Sequence, residues 1–138
     1  YIKSYTNIEP THEQFAEFIL KLSEILNVVI VNGYKNNPIL SKFKLIDSNK
    51  VIIKDKINIF EFQSLIKKCK YIITCHGAPS HIASNYGVKI IDIIDRTEQN
   101  FFESYNFHFK NKTQLIREDF LKLSHKILNT LNLNLKQN

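Results

Sequence analysis

The sequence predicts an α/β fold built on a doubly wound parallel sheet, and three observations carry that expectation. Apolar runs of strand length alternate with amphipathic segments of helix length, the pattern of repeated βα units. The runs are continuous and rich in β-branched residues, "VVIVN" at 28–32, "YIITC" at 71–75 and "VKIIDII" at 88–94, the form of parallel strands buried on both faces. Glycine and proline are scarce, yet "TCHGAPSHIASNYG" (74–87) holds two of the three glycines and one of the three prolines, as a strand-to-helix turn followed by a helix stop would require.

In chain order, "YIKSY" (1–5) reads as a first strand. "THEQFAEFILKLSEIL" (11–26) follows with Phe15, Phe18, Ile19, Leu22 and Leu26 at helical spacing, and Thr11 with Gln14 forms a capping box. After the strand at 28–32, residues 34–50 are irregular with a short helix from Pro38, and "VIIK" (51–54) is a third strand. Asn58 and Glu61 start a second helix, with Ile59, Phe62, Ile66 and Cys69 on one face and an end near Lys70. The strand at 71–75 leads through the Gly/Pro loop into two turns of helix, "SHIASNY", closed by Gly87. The strand at 88–94 comes next. Residues 97–109 combine a short helix with an edge strand, and "REDFLKLSHKILNTL" (117–131) is a final amphipathic helix with Phe120, Leu123, Ile127 and Leu131 on its stripe. The Asn-rich tail is expected to fray. The expected strand order is 3-2-1-4-5, a Rossmann-like sheet, as a single domain over 1–138.

The chain has 138 residues, 43% hydrophobic and 23% charged, an ordinary composition for one domain with a real core. Position 1 is Tyr rather than Met, which reads as a piece of a longer protein. There is no run of 18 uncharged apolar residues and no signal-peptide core, so a cytoplasmic location is expected. Cys69 and Cys75 fall at the ends of a helix and a strand without a CxxC pair, which fits free thiols in a reducing compartment. The net charge is +6, with "IKKCK" and "FHFKNKT" locally basic. That is either a solvated surface or a face turned to phosphates or to an anionic membrane; without Arg-rich or aromatic-interleaved stretches it points away from nucleic acid.

In a doubly wound sheet the ligand crevice opens at the carboxyl edge, where the loops after strands one and four diverge. The loop after strand four is "HGAPS". Its glycine permits close backbone approach, Pro79 in the first helical turn has no amide to leave unsatisfied, and Ser80 with the following amides can donate to an anion at the positive end of the helix dipole. A turn with no ligand would use Gly77 and Pro79 in the same way. His76 and His81 do not share a helical face and have no carboxylate or third nitrogen close in sequence, so no metal is expected. Cys75 at the end of a buried run points into the sheet and makes a poor nucleophile. His81 reads as a donor to phosphate or ribose, His76 as that or as a solvated loop residue.

"FEFQSLIKKCKYIITCHGAPSHIASNYGVKIIDIID" resembles a segment of the heptosyltransferase-like glycosyltransferases of GT-B fold (glycosyltransferase family 9-like), in which a helix and a strand lead into a loop of the form D-[ST]-G-x-x-H. The order of elements is also similar to that family's C-terminal, donor-binding, Rossmann-like domain. By this resemblance the family's Asp falls on His76, its Ser/Thr on Gly77, its Gly on Ala78 and its His on His81, and Gly77, Ala78 and His81 would face a donor diphosphate. The basic residue that many members place before the first helix has no counterpart in "TNIEPTHEQF", where the hydroxyls of Ser4 and Thr6 substitute in part. The resemblance implies a nucleotide-diphosphate sugar as donor substrate, no other cofactor, and an N-terminal acceptor domain in the same protein that carries the catalytic base. It also implies transfer to lipopolysaccharide or another surface glycan at the inner face of the membrane. The alternatives are a non-catalytic GT-B-derived binding module and an unrelated Rossmann- or flavodoxin-like enzyme; the absence of GxGxxG argues against dinucleotides.

Overall fold

A computed structural model of the chain describes residues 10–32, 49–101 and 109–136. The strand expected at 1–5 and the short helix expected from Pro38 lie outside the described residues. The fold is α/β and Rossmann-like, with parallel strands flanked by helices. The chain divides into two compact units, one over Pro10–Phe62 and one that takes in everything from Gln63 onward. Among the described residues no helix is long and apolar enough to cross a membrane.

The first unit opens with α1 (His12–Ile25). Thr11 Oγ1 accepts from the Gln14 amide and Gln14 Oε1 accepts from the Thr11 amide, so the expected capping box satisfies two donors that the first helical turn would leave orphaned. Phe18, Ile19 and Leu22 are buried. Strands β1 (Val28–Val31) and β2 (Val51–Lys54) pair in parallel, Val28 opposite Val51. Their continuous apolar runs do not mean burial on both faces: the register partners Val29 and Ile52 are both exposed. Asn58 caps α2 (Ile59–Ile66) by accepting from the amides of Phe60 and Glu61, while Glu61 accepts from the Asn58 amide. The helix ends four residues earlier than its apolar spacing suggests. The amides of Lys68 and Cys69 bond three residues back, to Leu65 and Ile66, and so tighten the last turn.

In the second unit β3 (Tyr71–Cys75), β4 (Lys89–Ile94) and β5 (Lys112–Ile116) form a parallel sheet in the order β3-β4-β5. Every residue from Ile90 to Ile94 is buried, as a central strand demands. The edge strand expected within 97–109 falls largely on residues 102–108, outside the described residues, and a further strand that the sequence does not announce, β5, pairs with β4 at Lys112–Ile116, where Lys112, Thr113 and Gln114 mask the strand signal. Helix α3 (Ala78–Asn85) joins β3 to β4 and packs on both. Its end is a complete Schellman motif: Val88 N–H donates to the Ala83 carbonyl and Gly87 N–H to the Ser84 carbonyl. Gly87 has φ +70°, and a Cβ there would meet nothing within 4 Å, so the strain of a side chain would be purely that of the backbone. Gly87→Ala is therefore expected to destabilise by about 1–2 kcal/mol in urea unfolding, with an unchanged slope.

Helix α4 (Phe120–Lys136) starts at Asp119, whose Oδ1 accepts from the amides of Leu121 and Lys122. The expected stripe of Phe120, Leu123, Ile127 and Leu131 is buried. The helix runs on to Lys136, into the Asn-rich tail expected to fray, which contains neither Gly nor Pro to stop it; residues 137–138 lie outside the described residues.

Candidate functional site

Strand β3 ends at Cys75, and the His76 amide extends its ladder by donating to the Ile93 carbonyl. Gly77, at φ 156° and ψ −160°, lies in backbone space that is essentially glycine's alone and turns the chain into α3 as its N-cap. The loop read from the sequence is thus at the carboxyl edge of the parallel strands.

At its centre is Asp92, fully buried in the middle of β4. Asp92 Oδ1 accepts from Ser80 Oγ at 2.7 Å, and Oδ2 lies 2.7 Å from His76 Nδ1. Gln114, the register partner of Asp92 on β5, brings its side-chain amide to 3.5 Å from Oδ2, and Thr74 is the partner on β3. A buried carboxylate is tolerable only when its lone pairs are occupied, and these donors occupy them. With the carboxylate accepting at Nδ1, the nitrogen of His76 turned away from Asp92 is Nε2, the acceptor of a neutral ring in that tautomer. The carboxylate stands between hydroxyl and imidazole. A nucleophilic serine needs the imidazole in the middle, so this is not a Ser-His-Asp triad.

The His76 side chain is only 13% exposed, which corrects its reading as a solvated loop residue, and Asp92 supplies the carboxylate that no sequence neighbour offers. His81, exposed on the first turn of α3, meets His76 edge to face at 5.6 Å between ring centroids and Phe109 at 4.9 Å. Phe109, itself buried, lies 5.9 Å from His76, so two imidazoles and a phenyl ring form one cluster.

The other candidates divide clearly. Gly77 and Ala78 are at the helix start, with Ala78 exposed. Ser80 has no exposed surface and its proton is held by Asp92, while the amides of Ser80 and His81 both bond to the Gly77 carbonyl. The expected donation from Ser80 and the amides after it is therefore already spent inside the fold. Ser4 and Thr6 lie outside the described residues. Both cysteines are free; burial pushes the Cys69 thiol up, and Cys75 Sγ lies 3.8 Å from Nη1 of the buried Arg117. Among the described residues no three His, Cys, Asp or Glu side chains gather as a metal site would.

Asp92, Phe109, Gln114 and Arg117 were not among the sequence candidates. Asp92 had a signal, a carboxylate in the middle of the apolar run "KIIDII", where an unpaired charge would be prohibitive. Arg117 had none, since it reads as the start of the last helix. Comparison of the chain with known protein families, with curated proteins and with solved structures finds no match.

Proposed function

We propose that the carboxyl edge of β3 and β4 binds the diphosphate of a nucleotide sugar, as the donor half of a GT-B glycosyltransferase. Its acceptor would be a lipopolysaccharide or another surface glycan. The observation that carries this reading is the placement of His81: an exposed imidazole on the first turn of α3, braced by Phe109 and His76, beside Gly77 and the exposed Ala78. Helix starts at the carboxyl edge of parallel strands are where phosphates bind in folds of this class. In this reading His81 donates to the phosphate oxygens, Gly77 and Ala78 let the backbone approach, and His76 is a positioning residue whose ring is fixed by Asp92. The catalytic base would come from an N-terminal acceptor domain of the same protein.

A second reading, a GT-B-derived binding module without activity, is favoured by the engagement of Ser80 and His76 with Asp92, which withdraws two polar groups from any ligand.

NMR titration of the chain with ADP, UDP, GDP and CMP tests the proposal. Saturable shifts confined to residues 76–82 and their surroundings are expected, with a dissociation constant of roughly high-micromolar to millimolar. His81→Ala should weaken this by about 1.5–3 kcal/mol. Absence of any shift at millimolar nucleotide would reject the donor site and leave the module.

A further inference from the structure

One residue of β4 holds both ends of the turn that leads into α3. Asp92 Oδ2 lies 2.7 Å from Nδ1 of His76, which follows β3, and Asp92 Oδ1 accepts at 2.7 Å from Oγ of Ser80, in the first turn of the helix. Between these two anchors are only Gly77, Ala78 and Pro79. Asp92 and Ser80 have no exposed surface, so their hydrogen bond does not compete with bulk water.

Packing alone does not orient this helix. With eight residues, α3 falls short of the roughly 12–15 at which an isolated helix becomes even marginal in water, and it is held by its contacts with β3 and β4. The residues it buries there are Ser80 and Ala83, neither with any exposed surface. Side chains this small allow close approach but give neighbours little to interlock with, so dispersion draws the helix onto the strands without choosing its rotation. A hydrogen bond to a carboxylate is directional as well as strong. Successive helical residues are turned by roughly 100°. The direction of Ser80 therefore sets that of the next residue, His81, the exposed imidazole that meets the Phe109 ring at 4.9 Å.

We propose that Ser80 and Asp92 are positioning residues: one carboxylate, engaged at one oxygen by His76 and at the other by Ser80, preforms the turn and fixes the direction in which His81 points. That the turn so held faces a phosphate rests on the nucleotide-sugar reading, so the orientation of His81 is measured first without ligand and the affinity second.

The whole chain is compared with Ser80→Ala, Ser80→Cys and Ser84→Ala by NMR, under conditions where each is fully folded, so that a change in stability does not move the signals. Alanine forms helix better than serine, so a reoriented α3 in Ser80→Ala does not come from lost helix propensity. Ser84→Ala makes the same change one turn on and leaves both Asp92 hydrogen bonds in place. The His81 ring protons carry the ring-current displacement of Phe109. They should shift towards unstructured values in Ser80→Ala, less far in Ser80→Cys, whose thiol is a weaker donor, and not at all in Ser84→Ala. Affinity for whichever of ADP, UDP, GDP and CMP binds the parent should fall about tenfold in Ser80→Ala and stay unchanged in Ser84→Ala. If none of the four binds the parent and the His81 signals still follow this series, the nucleotide reading fails and the positioning of His81 stands. Identical His81 signals in Ser80→Ala and Ser84→Ala, or a nucleotide that binds Ser80→Ala as tightly as the parent, would overturn the positioning role.

Discussion

Asp92→Ala is expected to destabilise the protein by about 2–6 kcal/mol, the cost of leaving two shielded donors without their acceptor at roughly 1–3 kcal/mol each. The Ser80 hydroxyl, with no exposed surface, would lose its acceptor, and His76 Nδ1 would lose the carboxylate that orients it. Asp92→Asn separates the two losses. Its carbonyl oxygen can still accept from Ser80, but its amide would then donate towards His76 and drive the imidazole proton from Nδ1 to Nε2. Asn should therefore be milder than Ala in urea unfolding and should invert the tautomer signature of His76 in nitrogen NMR. An Ala variant within about 1 kcal/mol of the parent would show that the buried carboxylate does not anchor this edge of the sheet.

Leu131→Ala should cost about 2–5 kcal/mol, the range for truncating a buried leucine into a cavity. Leu131 has no exposed surface, whereas Leu133, two residues on in the same helix, is 62% exposed. Leu133→Ala changes helix propensity in the same direction without opening a cavity, and should stay within about 0.5 kcal/mol of the parent. Equal effects in thermal and urea unfolding would mean that α4 is held by its intrinsic helicity rather than by its stripe.

That stripe shows what the sequence discloses and what it withholds. Phe120, Leu123, Ile127 and Leu131 could be read directly, because helical periodicity and burial have the same cause. So could the capping box at Thr11 and the helix stop at Gly87, since each is a local hydrogen-bonding or φ requirement met by neighbours in the chain. The strand β5 could not: three polar residues begin it, and its place is set by pairing with β4 rather than by its own pattern. The same limit governs the site. His76 and His81 could be found because the motif is contiguous, but the environment of His76 is made by Asp92, sixteen residues away, and Ser80 reads as a ligand donor until that carboxylate is placed beside it. Phe109 belongs by sequence to a basic stretch, and in the fold it is the ring against which His81 rests.

The pairing of β4 with its two neighbours also has a kinetic side. Tyr71 pairs with Lys89 and Ile90 with Lys112, separations of 89 − 71 = 18 and 112 − 90 = 22 residues. Loop-closure entropy rises only with the logarithm of length, so neither pairing is much harder to close than the other. All three described strands of this sheet and the crossover helix α3 fall within Tyr71–Ile116, so the ladders these strands make with one another need no residue before Tyr71. A ribosome that has released this stretch has therefore released three mutually paired strands, and β4 can be covered on both edges while α4 is still being made.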